Sequence, residues 1–185
     1  MRLNLGCGLN RKQGWHNVDK SAACGPDQVV DLEQFPWPWQ SGVAEEVLLN
    51  HVLEHLGASA EVYIGVMKEL WRVCRDGALV TIVVPHPRHD DFMTDPTHVR
   101  AITFDGLVLF SRKANEYWQR EGNANTQLAV YHGIDFELVS TETTLDEPWA
   151  GDLAAGRIDQ TAVDEATLRY NNVVKQQRFV LKAVK

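Results

Sequence analysis

Apolar residues come in short runs through the first half of the chain, and each run ends in a turn or a polar tip. Leu3-Asn4-Leu5 breaks into Gly6-Cys7-Gly8, which predicts a buried strand ending where backbone must come close to something, because glycine lacks the Cβ that would block approach. A second run closes at Asp19, a third covers Gln28-Val29-Val30-Asp31-Leu32, and a fourth lies within Val43 to Asn50 around Val47-Leu48-Leu49. From Ser59 to Arg75 the period changes. Val62, Val66, Leu70, Val73 and Cys74 recur at helical spacing, with Glu61 in the first turn, Arg72 and Arg75 in the last, and Gly77 as the stop. Ala78 to Val84 is rich in β-branched residues and ends at Pro85, which predicts a central strand buried on both faces. Leu107, Phe110, Ala114, Tyr117 and Trp118 predict a second helix, with Gly122 just beyond it. Phe136 to Thr144 and Arg178 to Val184 read as the last two strands. The segment 145–172 between them, with a short helix around Ala162 to Tyr170, is expected to be a lid or connector within a single α/β domain.

Composition narrows the function classes. The chain has 185 residues, enough for one α/β domain and too few for two ordinary ones, and 44% of them are apolar. A net charge of −7 argues against a broad phosphate-binding surface, so nucleic acid is not an expected partner. No run of eighteen apolar residues and no apolar stretch behind a basic start is present, which predicts neither a membrane span nor a secretory signal. The three cysteines, Cys7, Cys24 and Cys74, form no C-x-x-C pair and suit a reducing cytoplasm.

The candidate chemistry starts at the glycine turn. An acidic residue at the tip of the second strand is where a nucleoside-binding α/β fold places its acceptor for ribose hydroxyls, which makes Asp19 a candidate. A dinucleotide site fits poorly, because the third glycine of that fingerprint is Arg11 here. His51-Val52-Leu53-Glu54-His55 matches the H-x-x-E-H pattern of a zinc protease, yet a strand precedes it and Gly57 follows, leaving one helical turn at most. The densest polar cluster, Pro85 to Arg100, holds His86, His89, His98, Asp90, Asp91, Asp95, Arg88 and Arg100 immediately past the fifth strand. Turn and capping chemistry, a divalent-metal site and a catalytic site all remain open for it.

Leu5-Gly6-Cys7-Gly8, the acidic tip at Asp19, Val30-Asp31-Leu32 and His51-Val52-Leu53-Glu54-His55-Leu56, taken in order, resemble a class I S-adenosylmethionine-dependent methyltransferase, most nearly the small ones associated with bacterial surface polysaccharides. The resemblance covers Arg2 to about Pro85 and the tail loosely. It implies a Rossmann-like seven-stranded, mostly parallel sheet with helices on both faces and an antiparallel last pair. It also implies S-adenosylmethionine as cofactor, held by Leu5, Gly6, Cys7, Gly8, Asp19, Asp31, Leu32, Asn50 and His51. The sequence departs from the family where only Leu9 to Gly14 stand in place of the usual first helix, and Arg11 and Lys12 are expected to help hold the cofactor's carboxylate there. The implied reaction is methyl transfer to a small-molecule or saccharide-like hydroxyl. His98 is the expected base, oriented by Asp95, with His86 as a further catalytic candidate and His89, Arg100 and Trp37 facing the substrate. No residue is assigned to a metal. Two alternatives are carried: a metal-dependent hydrolase built on His51/His55 or on His86/His89/His98, and a cofactor-binding protein without turnover.

Overall fold

The computed structural model describes residues 1–185. Seven strands, β1 (Arg2–Leu5), β2 (His16–Asp19), β3 (Gln28–Val29), β4 (Ala44–Asn50), β5 (Cys74–Pro85), β6 (Phe136–Leu145) and β7 (Val174–Ala183), form one sheet in the order β3-β2-β1-β4-β5-β7-β6. The first five are parallel, and β7 runs antiparallel to both β5 and β6. The strand order reverses between β1 and β4, so their carboxyl ends form the crevice where open α/β sheets bind ligands.

Alternation along the strands assigns the faces. Leu3, Leu5, Val47, Leu49, Val80, Ile82, Phe179 and Leu181 share one apolar core with Val66, Met67, Leu70 and Val73 of α1 (Ala60–Val73). That helix starts where the Ser59 side chain accepts a hydrogen bond from the Val62 N–H. It stops at Val73 rather than near Gly77, because Cys74 already pairs with Ala44 and opens β5. Gly77, at φ +73°, lies inside that strand. Leu79 is 41% exposed and Thr81 and Val83 on the same side are only half-buried, so β5 is fully buried on one face rather than on both.

The opposite face is open. The crossovers β1→β2 and β2→β3 supply no helix to cover it: residues 6–15 contain none and residues 20–27 only the 3-10 turn Ala22–Cys24. The sheet is the expected seven-stranded, mostly parallel one with an antiparallel end, and its helices are unevenly shared between the faces. Polar side chains hold the shortened first crossover in place of a helix. The buried Asn4 donates to Asn17 Oδ1 and to the Asn10 carbonyl. The Asn17 amide spans the Lys12 N–H, the Lys12 and Trp15 carbonyls and Asp27. Arg11 is committed to Asp27 at 2.7 Å.

The expected second helix divides into α3 (Phe104–Val108) and α4 (Arg112–Glu121), because Ser111 leaves the helical path and caps α4 by accepting from the Ala114 N–H, and the short α5 (Leu128–His132) follows. Within 145–172, α6 (Trp149–Ala154) and α7 (Gln160–Arg169) enclose a small apolar cluster of Val163, Ala166 and Val173. Arg88, in the loop after β5, fastens this segment by donating to the Thr167 and Tyr170 carbonyls. No helix is long and apolar enough to cross a membrane.

Candidate functional site

The carboxyl edge of β1, β2 and β4 gathers the glycine turn, Asp19 and His51. Gly6 sits at φ +64°, and a Cβ there would come within 2.5 Å of Val52 Cγ2, so only glycine lets the turn lie against the loop after β4. Gly8 donates its N–H to Asp19 Oδ2 at 2.8 Å, and Ser21 donates to Oδ1 at 2.8 Å. Each carboxylate oxygen keeps further acceptor capacity. Leu5 is fully buried in the core, so it reaches this edge through its backbone alone. Burial, followed by the nearby Asp19 charge, pushes the Cys7 thiol above its ordinary pKa.

β3 ends at Val29, which turns Val30 to Leu32 into the loop bordering Asp19. Asp31 is exposed and caps this turn by accepting from the Glu33 N–H. Leu32 is buried, and its carbonyl accepts from the Trp37 indole N–H at 3.0 Å. Trp37 is itself 2% exposed, its backbone held by Glu69 and Arg72. It braces Leu32 from behind and forms no substrate wall, a correction that follows from the Glu69–Arg72 pair drawing the aromatic loop onto α1.

Two cavities meet along this edge. The smaller, of about 340 Å³, lies among Asp19, Val30, Leu32, Val52, His55 and Thr97. The larger, of about 850 Å³, extends over the uncovered sheet face past Lys12, Trp15, Asn50, Thr81 and Arg178. Gly6 and His51 border both.

His51 has a left-handed backbone, φ +54°, rare for a side-chain-bearing residue and typical of functional loops. Its Nδ1 lies 3.4 Å from Glu54 Oε1 and its Nε2 3.2 Å from Gln176 Oε1. The Glu54 contact has ion-pair reach without hydrogen-bond alignment, so both oxygens of this fully buried carboxylate lack a hydrogen-bond partner. The carboxylate raises the His51 pKa against the opposing effect of partial burial.

The cluster after β5 disperses. His89 is 4% exposed and tied to Asp146 at 2.9 Å while capping α2 (Asp90–Met93). His86 borders a separate cavity beside α7, and burial together with Arg88 lowers its pKa. Arg100 donates to the Gly57 carbonyl and lies over the Tyr63 ring. His98 Nδ1 is 2.9 Å from the Phe92 carbonyl and the ring stacks on Phe92. His98 borders neither cavity, and its Nε2 is 3.8 Å from Asp95, beyond a hydrogen bond. Asp95 instead accepts from the Thr97 N–H and hydroxyl, which hold its carboxyl below the usual range. Local caps and tethers therefore use these residues, and the expected His98–Asp95 base pair, the substrate roles of His89 and Arg100, and a shared metal at His86, His89 and His98 do not match the geometry. His51 and His55 do not converge as on a zinc-protease helix, because residues 53–55 form a single 3-10 turn.

No family model and no curated protein matches the chain. Solved structures do. A SAM-dependent methyltransferase from Archaeoglobus fulgidus is 15% identical with a TM-score of 0.63, covering 98% of this chain and 85% of its own. One from Methanosarcina mazei is 11% identical with a TM-score of 0.56, covering 99% and 92%. The chain has the fold of S-adenosylmethionine-dependent methyltransferases. The cyclase SpnF, at 13% identity, a TM-score of 0.57 and coverage of 99% and 75%, has it too, so the shared fold carries more than one named activity.

Proposed function

We propose that the protein is an S-adenosylmethionine-dependent methyltransferase acting on a saccharide-like hydroxyl. The observation that carries this reading is the junction at Gly6 and His51, where the glycine turn and Asp19 face a cavity on a sheet of this fold. The residues present fit the cofactor. Asp19 offers acceptors for ribose hydroxyls, Val30 and Leu32 offer apolar surface to a base, and open space lies where a Cβ on Gly8 would stand. Asp31, exposed at the same rim, and the Asn50 and Cys7 positions at the larger cavity complete the expected binding set.

S-adenosylmethionine, when bound, supplies a methyl group activated on sulfonium. The chain then has two tasks: to align an acceptor and to take its proton. The larger cavity suits a polyhydroxylated acceptor, with Trp15 as an aromatic surface and Asn10, Lys12, Glu46 and Arg178 as polar contacts. His51 replaces His98 as the base. Its Nδ1 is turned toward Glu54, and its Nε2 takes the proton of the acceptor hydroxyl once that hydroxyl replaces the Gln176 side-chain oxygen beside it.

Calorimetry with S-adenosylmethionine and its demethylated product tests the first half of this reading. Asp19→Ala is expected to weaken both by about a hundredfold, the worth of a charge-assisted hydrogen-bond pair of roughly 3 kcal/mol, with an unchanged circular dichroism spectrum. Unaltered affinity rules out this placement of the cofactor. In an acceptor screen, His51→Gln should lose about a hundred- to ten-thousandfold in turnover while still binding cofactor. A variant as active as wild type removes His51 from the role.

A further inference from the structure

We propose that Glu54, His55 and His98 form a binding site for one divalent first-row transition-metal ion of the zinc class. One oxygen of Glu54 and one nitrogen of each imidazole lie within 4.8 Å of one another. Ligands about 2.0–2.2 Å from a common ion stand roughly 3.5–4 Å apart, so binding needs closure of about an ångström. The site draws on two segments already tied together, since the Val99 and Arg100 N–H groups both donate to the Glu54 carbonyl, at 2.9 and 3.1 Å.

The protonation pattern favours a cation. His98 Nδ1 faces the Phe92 carbonyl, which can only accept, so this nitrogen carries the hydrogen. His55 Nδ1 is 2.9 Å from Thr97 Oγ1, and the Thr97 hydroxyl gives its own hydrogen to Asp95 at 2.6 Å, so His55 Nδ1 is a donor as well. In the neutral rings both Nε2 atoms are left with a free lone pair, the state a metal requires, with the other ring nitrogen anchored as in known metal-bound histidines. Close to both rings lies a fully buried carboxylate with neither oxygen hydrogen-bonded. The three groups offer ligand atoms within 4.8 Å of one another, the His51 Nδ1 at 3.4 Å from Glu54 is out of hydrogen-bond alignment, and a positive ion resolves that arrangement. Two imidazoles with one carboxylate suit zinc, iron(II) or cobalt(II) better than magnesium or calcium, which favour all-oxygen sets. His55 and Thr97 also border the smaller cavity, which leaves a path for an outside ligand to the ion.

The site stands independently of the methyl-transfer reading, because metal binding is measured on the protein alone. Chelator-treated protein is titrated with Zn²⁺ and, separately, with Co²⁺, following metal content after desalting and the visible Co²⁺ spectrum. One bound equivalent and a raised melting temperature are expected. The His55→Gln/His98→Gln double variant should lose the site. Glu54→Gln, nearly isosteric, should weaken it while the circular dichroism spectrum stays native. Thr97→Val, which removes the anchor of His55, should lower affinity about 10- to 100-fold, and His86→Ala should leave it unchanged. No stoichiometric uptake of either metal by folded wild-type protein overturns the proposal. So does undiminished uptake by the double variant, and a flat titration would leave Glu54 as the counter-charge of His51 alone.

Discussion

Around Asn17 the buried polar side chains are paired, whereas across the Gly6–His51 junction the fully buried Glu54 carboxylate has no hydrogen bond. The Asn17 cluster does the work of a missing helix: it satisfies the backbone of residues 10–17 so that parallel β1 and β2 can be joined by a connection shorter than such crossovers usually need. Its satisfied amides leave nothing over for a ligand. The Glu54 corner is the reverse, with a well-packed backbone around an unmatched charge, and a charge buried without donors persists where something outside the chain completes it. Saturated polar networks mark architecture, and the unsaturated one marks the place to look for chemistry.

Breaking the first cluster has the larger effect. Asn17→Ala removes five hydrogen-bond contacts, leaving the buried Asn4 amide with only the Asn10 carbonyl and the Lys12 N–H and the Lys12 and Trp15 carbonyls without their Asn17 partner. A loss of about 3 kcal/mol is expected at 1–3 kcal/mol for each buried group left unpaired, which lowers the melting temperature by roughly 6–12 °C in a chain of this length. A fall of less than about 2 °C in a calorimetric scan, by the same scaling, would mean that the crossover is held by something else.

Glu54→Gln should go the other way. In metal-free protein it exchanges a buried charge for a neutral amide, so stability to denaturant is expected to rise by about 1 kcal/mol or hold level. If the His51 contact were a strong buried ion pair, the same change would cost about 3 kcal/mol or more. Unfolding curves with chelator present separate these outcomes by sign.

The strands, the long helix α1 and the ligand edge were legible in the sequence because each rests on local periodicity: Leu3 and Leu5, Val47 and Leu49, and the Val62-Val66-Leu70-Val73 stripe repeat at the spacing of their element. The glycine turn and Asp19 were legible for a similar reason, since their positions follow from where strands end. What local spacing could not provide was partnership over distance. Asn4, Asn17 and Asp27 read as ordinary polar residues until the fold brings them together. His98 looked like a base beside Asp95, but an imidazole three residues from a carboxylate is oriented by whatever lies closest in space, here the Phe92 carbonyl. Glu54 stood inside a recognised motif, and only its burial without a donor distinguishes it from an exposed loop glutamate. The open sheet face was foreshadowed by the six residues Leu9 to Gly14, too few for a covering helix.

Acid provides the smallest and most selective probe of the paired side. The Asn17 backbone N–H, then its side-chain amide, and beyond them Arg11 hold the Asp27 carboxyl below its ordinary pKa. A folded-state pKa below the unfolded value of about 3.9 means that the ionised group favours folding. That contribution is present above the unfolded value and is lost as pH falls through the folded one. Asp27→Asn deletes it. The stability gap between wild type and variant, measured by urea unfolding at successive pH values, should therefore stay constant above about pH 5 and narrow below about pH 4. The Asp27 side chain is one-third exposed, at 33%, so solvent screens the effect and keeps it well below that of Asn17→Ala. A gap that stays the same down to the acid limit would show that Asp27 serves the crossover through shape alone, and the pairing attributed to Asn17 would then rest on its amide contacts to Asn4 and Lys12.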